Sequence, residues 1–101
     1  MKLVIVTVVE AFQKEVILLF KKAEIENFSE SDIDGHKNSA SVLVASNWFS
    51  GVKSSNESTM FFSFTKEEKI DALFKLIQEF NTNLETNNPI KAIVVPIEKF
   101  I

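Results

Sequence analysis

The chain contains no cysteine, no arginine and no tyrosine, and only one histidine, His36. Without cysteine there is no disulfide, no thiolate metal site and no thiol nucleophile. All eleven basic side chains are lysine, so the bidentate fork favoured for phosphate and carboxylate is missing. The formal net charge is −3 and no basic stripe appears, which argues against a nucleic-acid partner. No apolar run approaches the ~20 residues that a membrane helix needs. The opening run through Val9 is cut by Glu10 and followed by no small-residue cleavage site, so it reads as a strand rather than a secretory leader. A lone histidine with no orienting partner, and no Ser–His–Asp-like spacing, leave no nucleophile–base pair, so an enzyme is not expected. The cytoplasm is the expected compartment.

At 101 residues, 46% of them hydrophobic and ten of them Phe, the chain is long enough for one two-layer core and is expected to form one domain, 1–101. Residues 2–9 (KLVIVTVV) are almost wholly apolar, the pattern of a strand with a central place in its sheet. From Ala11 the period changes: Phe12, Val16, Leu19, Phe20 and Ala23 fall at helical spacing, with Lys21 and Lys22 near the end that favours cations. Residues 27–35 are polar and extended, anchored by Phe28 and Ile33, and Asp34-Gly35 predicts a turn or bulge. Residues 42–45 (VLVA) form another extended stretch. In residues 60–64 (MFFSF), Met60, Phe62 and Phe64 share one side and Phe61 takes the other. Thr65 and Glu68 predict a capping box, and Ile70, Leu73, Phe74, Ile77 and Phe80 the stripe of a second helix. Residues 91–97 (KAIVVPI) close the pattern as a strand whose Pro96 suits an edge.

Strand, helix, strand, strand, helix, strand is the split βαβ plan: an α+β, ferredoxin-like βαββαβ arrangement with a four-stranded antiparallel sheet and both helices on one face. The right-handed crossover rule puts the first and third strands at the centre. The other face, built from half of the side chains of residues 2–9, 60–64 and 92–97, is then apolar and bare. Either copies of the chain cover it or residues 36–58 fold over it, and the first is favoured because such faces usually mark interfaces.

The plan, the opening KLVIVTVVEAF, the extended FSESDIDGHK and the ending IKAIVVPIEKFI resemble the PII (GlnB-like) signal-transduction superfamily, which includes nitrogen regulatory proteins. The stretch NWFSGVKSSNESTMFFSFT also looks like the Trp…Gly…Glu hairpin of the related CutA family. The resemblance implies a homotrimer with sheets facing inward. It further implies a regulator that controls an enzyme or membrane transporter through a long T-loop, here residues 36–58. It implies nucleotide clefts between subunits, with Gly35 and Lys91 as the candidate cofactor-binding residues. Lys91 matches the family's basic residue at the start of the last strand. The site looks degenerate: TNLETNNPI has no glycine, Pro89 removes an amide donor, and the family's late arginines have no counterpart. The T-loop segment has no tyrosine to uridylylate and no glutamine for a magnesium–2-oxoglutarate pair, so no cofactor is assigned.

Other candidates follow from residue type. His36 is the candidate metal ligand, with Glu30, Asp32 and Asp34 as possible helpers and symmetric copies supplying the rest; with the CutA likeness it forms the alternative reading, a divalent-metal-tolerance protein. Trp48 and Phe49, with Lys53, are the candidate partner contacts, because aromatic anchors dominate binding hot spots.

Overall fold

The computed structural model describes residues 1–36, 55–84 and 88–101. Strand β1 spans Lys2–Val9, and a single 3₁₀ turn over Glu10–Phe12 leads into helix α1, Gln13–Lys22. Strands β2 (Ser29–His36) and β3 (Ser55–Thr65), helix α2 (Glu67–Thr82) and strand β4 (Lys91–Pro96) follow. The strand order is β2-β3-β1-β4, and each neighbouring pair is antiparallel. This is the α+β, ferredoxin-like arrangement expected, with β1 and β3 central.

The register explains the layers. Val4, Val6 and Val8 of β1 stand opposite Ser63, Phe61 and Thr59 of β3, and all six are buried. Successive strand side chains alternate faces, so this set lies beneath the helices. There it meets Val16, Leu19 and Phe20 of α1 and Ile70, Leu73 and Ile77 of α2 in one core. Phe61 packs against Phe20 and Phe28 at ring-centroid distances of 5.7 and 6.0 Å, and Phe20 meets Phe28 at 4.7 Å. Phe12 and Phe80 meet edge to face at 6.0 Å, joining the two helices. Leu18 of α1 is exposed.

Helix α1 ends in a Schellman motif. Ile25 N–H donates to Phe20 O at 2.9 Å and Glu24 N–H to Lys21 O at 3.0 Å. The motif's left-handed position, usually glycine, holds Glu24 at φ 61°. Its Cβ costs about 1 kcal/mol there. Glu24→Gly is therefore expected to stabilise the chain by about 0.5–1 kcal/mol, less than the full steric cost because glycine also loosens the unfolded state. A thermal melt checks this; a lower Tm would mean that the Glu24 side chain contributes more than its backbone strain costs.

Three local expectations are corrected. The capping box does not form. Lys66 is the N-cap of α2 and makes no side-chain capping bond, because Thr65 is still paired to Lys2 as the last residue of β3. The shift by one residue puts Glu68 at the second helical position, out of the box spacing. Lys66 O instead accepts from the N–H groups of Lys69 and Ile70, while Glu67 pairs with Lys2 Nζ at 2.9 Å. Asp34-Gly35 is not a turn: both residues lie inside β2, opposite Glu57 and Asn56, and Gly35 is buried. Likewise β3 begins at Ser55 rather than near residue 60, because its polar first residues are held by ladder bonds to β2.

Candidate functional site

The sheet face that neither helix covers is the first feature of functional interest. Strand alternation places Leu3, Ile5, Thr7 and Val9 on it, with Ser58, Met60, Phe62 and Phe64 of β3 and Lys91, Ile93 and Val95 of β4. Rows run across the strands: Phe64–Leu3–Val95, Phe62–Ile5–Ile93 and Met60–Thr7–Lys91. Phe64 is 56% exposed, and Ile93 and Val95 are exposed at the β4 edge. Phe62 and Phe64 contact each other edge to face at 6.4 Å. Lys91 is the only charged side chain among these residues.

Lys91 owes its place to Asn81. In the last turn of α2, Asn81 Nδ2 donates to Ile90 O and Asn81 Oδ1 accepts from Ile90 N–H, both at 2.9 Å. The side-chain amide thus acts as a strand partner and fixes the entry to β4, with Ile90 buried and Lys91 half-buried opposite Thr7.

Gly35 sits on β2, at the other edge of the sheet from Lys91, with β3 and β1 between them. One copy of the chain does not bring the two together. His36, the candidate metal ligand, is the last residue of β2 and is exposed. Among the described residues no group of three or more His, Asp or Glu side chains is arranged to hold a metal ion. Trp48, Phe49 and Lys53, and residues 42–45, lie outside the described residues.

Sequence reasoning missed an acidic cleft. Glu10, Asp32, Asp34 and Glu57 line a space of about 310 Å³ with Ile33 and Ser58. The alternation in Ser29–His36 was the available signal, since Glu30, Asp32 and Asp34 share one side of the strand. Glu30 accepts a bond from Gln13 Nε2 at 3.0 Å. The hydrogen bond between Glu10 and Glu57 raises the pKa of Glu10 above its ordinary 4.5, helped by the charge of Glu57, by desolvation and by Asp32. A raised folded-state pKa makes the protonated form the favourable one, so this stability is present below pH 4.5 and lost as pH rises through the raised value. Glu10→Gln should abolish that part of the pH dependence in melts across the acid range; an unchanged profile would contradict the pairing. Glu67 has the opposite sign: its hydrogen bond and ion pair with Lys2 lower its pKa, so its stabilisation is lost as pH falls through the lowered value.

A larger cleft of about 690 Å³, lined by Lys21, Glu24, Ile25, Glu26, Phe28 and Lys69, lies between the end of α1 and the first turn of α2. A third, of about 330 Å³, joins residues 26–29 to Phe62, Ser63 and Phe64. Its wall is fixed by Ser63 Oγ donating to Asn27 O at 2.6 Å. Among the described residues no helix is long and apolar enough to cross a membrane.

A β2-β3-β1-β4 sheet with two helices on one face, joined through a long connection between β2 and β3, defines a PII-like fold. Solved structures agree. CPII, a nitrogen regulatory PII-like protein from Thiomonas intermedia K12 bound to ADP, AMP and bicarbonate, matches with TM-score 0.62 over 99% of this chain and 94% of its own, at 14% identity. A DUF3240 family protein from Shewanella baltica OS155 matches with TM-score 0.67 over 98% and 91%, also at 14% identity. A proposed PII-like signalling protein from Thermus thermophilus matches with TM-score 0.61 over 92% and 82%, at 13% identity. No family model and no curated protein matches the chain.

Proposed function

We propose that the chain is a PII-like regulator, not an enzyme, that assembles as a homotrimer and controls a partner enzyme or transporter through residues 36–58. The observation that carries this reading is the sheet itself. One face is apolar and is covered by neither helix, and the two candidate effector-site residues, Gly35 and Lys91, lie on opposite edges. An effector site using both is complete only where the β2 edge of one copy meets the β4 edge of the next. Assembly by the open face and formation of the site are then one event.

The chemistry of the site favours a small ligand. Lys91 is its one cation, the approach to β4 has no glycine, and Pro89 lacks an amide donor. Such a grip suits a single phosphate or a small anion better than a triphosphate. CPII, of similar fold, is the relative whose structure holds ADP, AMP and bicarbonate. Calorimetry with ATP, ADP, AMP and bicarbonate tests the reading. AMP or bicarbonate is expected to bind at least tenfold more tightly than ATP, with that binding lost in Lys91→Ala. Micromolar ATP binding would contradict a degenerate site, and no heat with any of the four would remove the effector from the proposal.

A further inference from the structure

We infer that residues 97–101 of each copy clasp a neighbouring copy, seating Phe100 and Ile101 on its open sheet face; this rests on the assembly proposed above. The inference begins with the two sheet edges, which differ in kind. The β2 edge carries Glu30, Asp32 and Asp34 among serines and is acidic and hydrophilic. The β4 edge reads Ala92-Ile93-Val94-Val95, without a charge, and Pro96 alone blunts its end. Ile93 and Val95 project to the open face and Val94 to the helix face, yet all three are exposed, so the outer half of β4 is uncovered on both sides.

The chain beyond β4 adds to this surface. Phe100 is 75% exposed and Ile101 fully so, and Phe100 makes no ring contact with another described aromatic residue. The register brings Phe64, Val94 and Val95 to the same end of the sheet, where β1 begins. Phe64 and Phe100 alone leave about 260 Å² bare, taking ~200 Å² for a fully covered phenylalanine. Ile93 and Val95 add to it on the open face, to a size at which an exposed apolar patch marks an interface.

Complementarity selects a second copy as occupant. Each copy offers one bare face and one apolar segment, a head-to-tail pairing that rotation can close into a ring. Lys91 is the one charge on the open face of β1, β3 and β4, and the adjacent Glu98 and Lys99 leave the segment with no net side-chain charge. A partner of strong charge finds nothing there to recognise.

The absence of cysteine makes the test direct. Differently tagged Phe100→Cys and Ile93→Cys chains are mixed and oxidised, with Leu18→Cys on the exposed side of α1 as the control position. A disulfide between unlike chains is expected for the Phe100–Ile93 pair and not for Phe100–Leu18. Sedimentation equilibrium of Phe100→Ser should show a dissociation constant raised at least tenfold over the unaltered chain. If the unaltered chain sediments as a single copy, the assembly reading itself fails. If it assembles but Phe100→Ser assembles equally well and no cross-link forms, the clasp alone is overturned. In the double variant Phe100→Cys, Ile93→Cys, a disulfide within one chain would overturn it too, by showing that the segment covers its own sheet.

Discussion

Ile5→Asp is expected to dissociate the proposed assembly while leaving each chain folded. Ile5 is half-buried at the centre of the row Phe62–Ile5–Ile93, on the face that no helix covers. In a single copy the new carboxylate reaches water, so the fold loses little. In an assembly that buries this face, each copy brings an unpaired charge into an apolar seam, at a cost of about 3–5 kcal/mol. That corresponds to a rise of two or more orders of magnitude in the dissociation constant. Val6→Asp, one residue along, is the contrast. Val6 is fully buried under the helices, so the same charge there should unfold the chain rather than separate copies. Sedimentation equilibrium and far-ultraviolet circular dichroism on the pair check both halves. An Ile5→Asp protein that associates as tightly as the original would show that the face is not an interface.

Phe61→Ala should cost about 3–5 kcal/mol of folding stability, the range for removing a buried aromatic side chain and leaving a cavity. Phe61 is fully buried, faces Val6 across the central strand pair, and touches both Phe20 and Phe28. It therefore ties sheet, first helix and the approach to β2 together. In a domain of this size the Tm should fall by at least about 12 °C. Phe62→Ala, on the open face, should cost a single chain far less, and its main effect should fall on association. A fall below about 5 °C for Phe61→Ala would mean that the core closes around the missing ring.

Much of the architecture was legible because local pattern and final environment agree. The unbroken apolar run of β1 marks a central strand, and MFFSF separates its faces by simple alternation. The helical stripes at Val16, Leu19, Phe20 and at Ile70, Leu73, Ile77 became the buried residues of α1 and α2. The misreadings fall where long-range pairing overrode local preference. Asp34-Gly35 carries a turn signal, but eight consecutive pairings with β3 draw it into a strand. Thr65 has the composition of a cap, yet its pairing with Lys2 holds it in the sheet. Ser55-Asn56-Glu57 has no strand propensity worth naming and is extended because β2 lies beside it. The carboxylate pair Glu10–Glu57 joins residues remote in sequence, and no local pattern announces it.

The sequence by itself determined which residues are greasy, at what period they recur, and hence that two helices would leave one side of a four-stranded sheet uncovered. It also determined the poverty of the proposed anion grip, because the absence of arginine and of a glycine-rich approach to Lys91 is a matter of composition. Only the tertiary structure decided that Gly35 and Lys91 stand at opposite edges, that one edge is acidic and the other apolar, and that four carboxylates converge beside the end of β1. Periodicity is a local property, fixed by backbone geometry within a few residues. Strand order and edge identity come from pairings between distant segments, whose energies exist only once the chain has closed on itself.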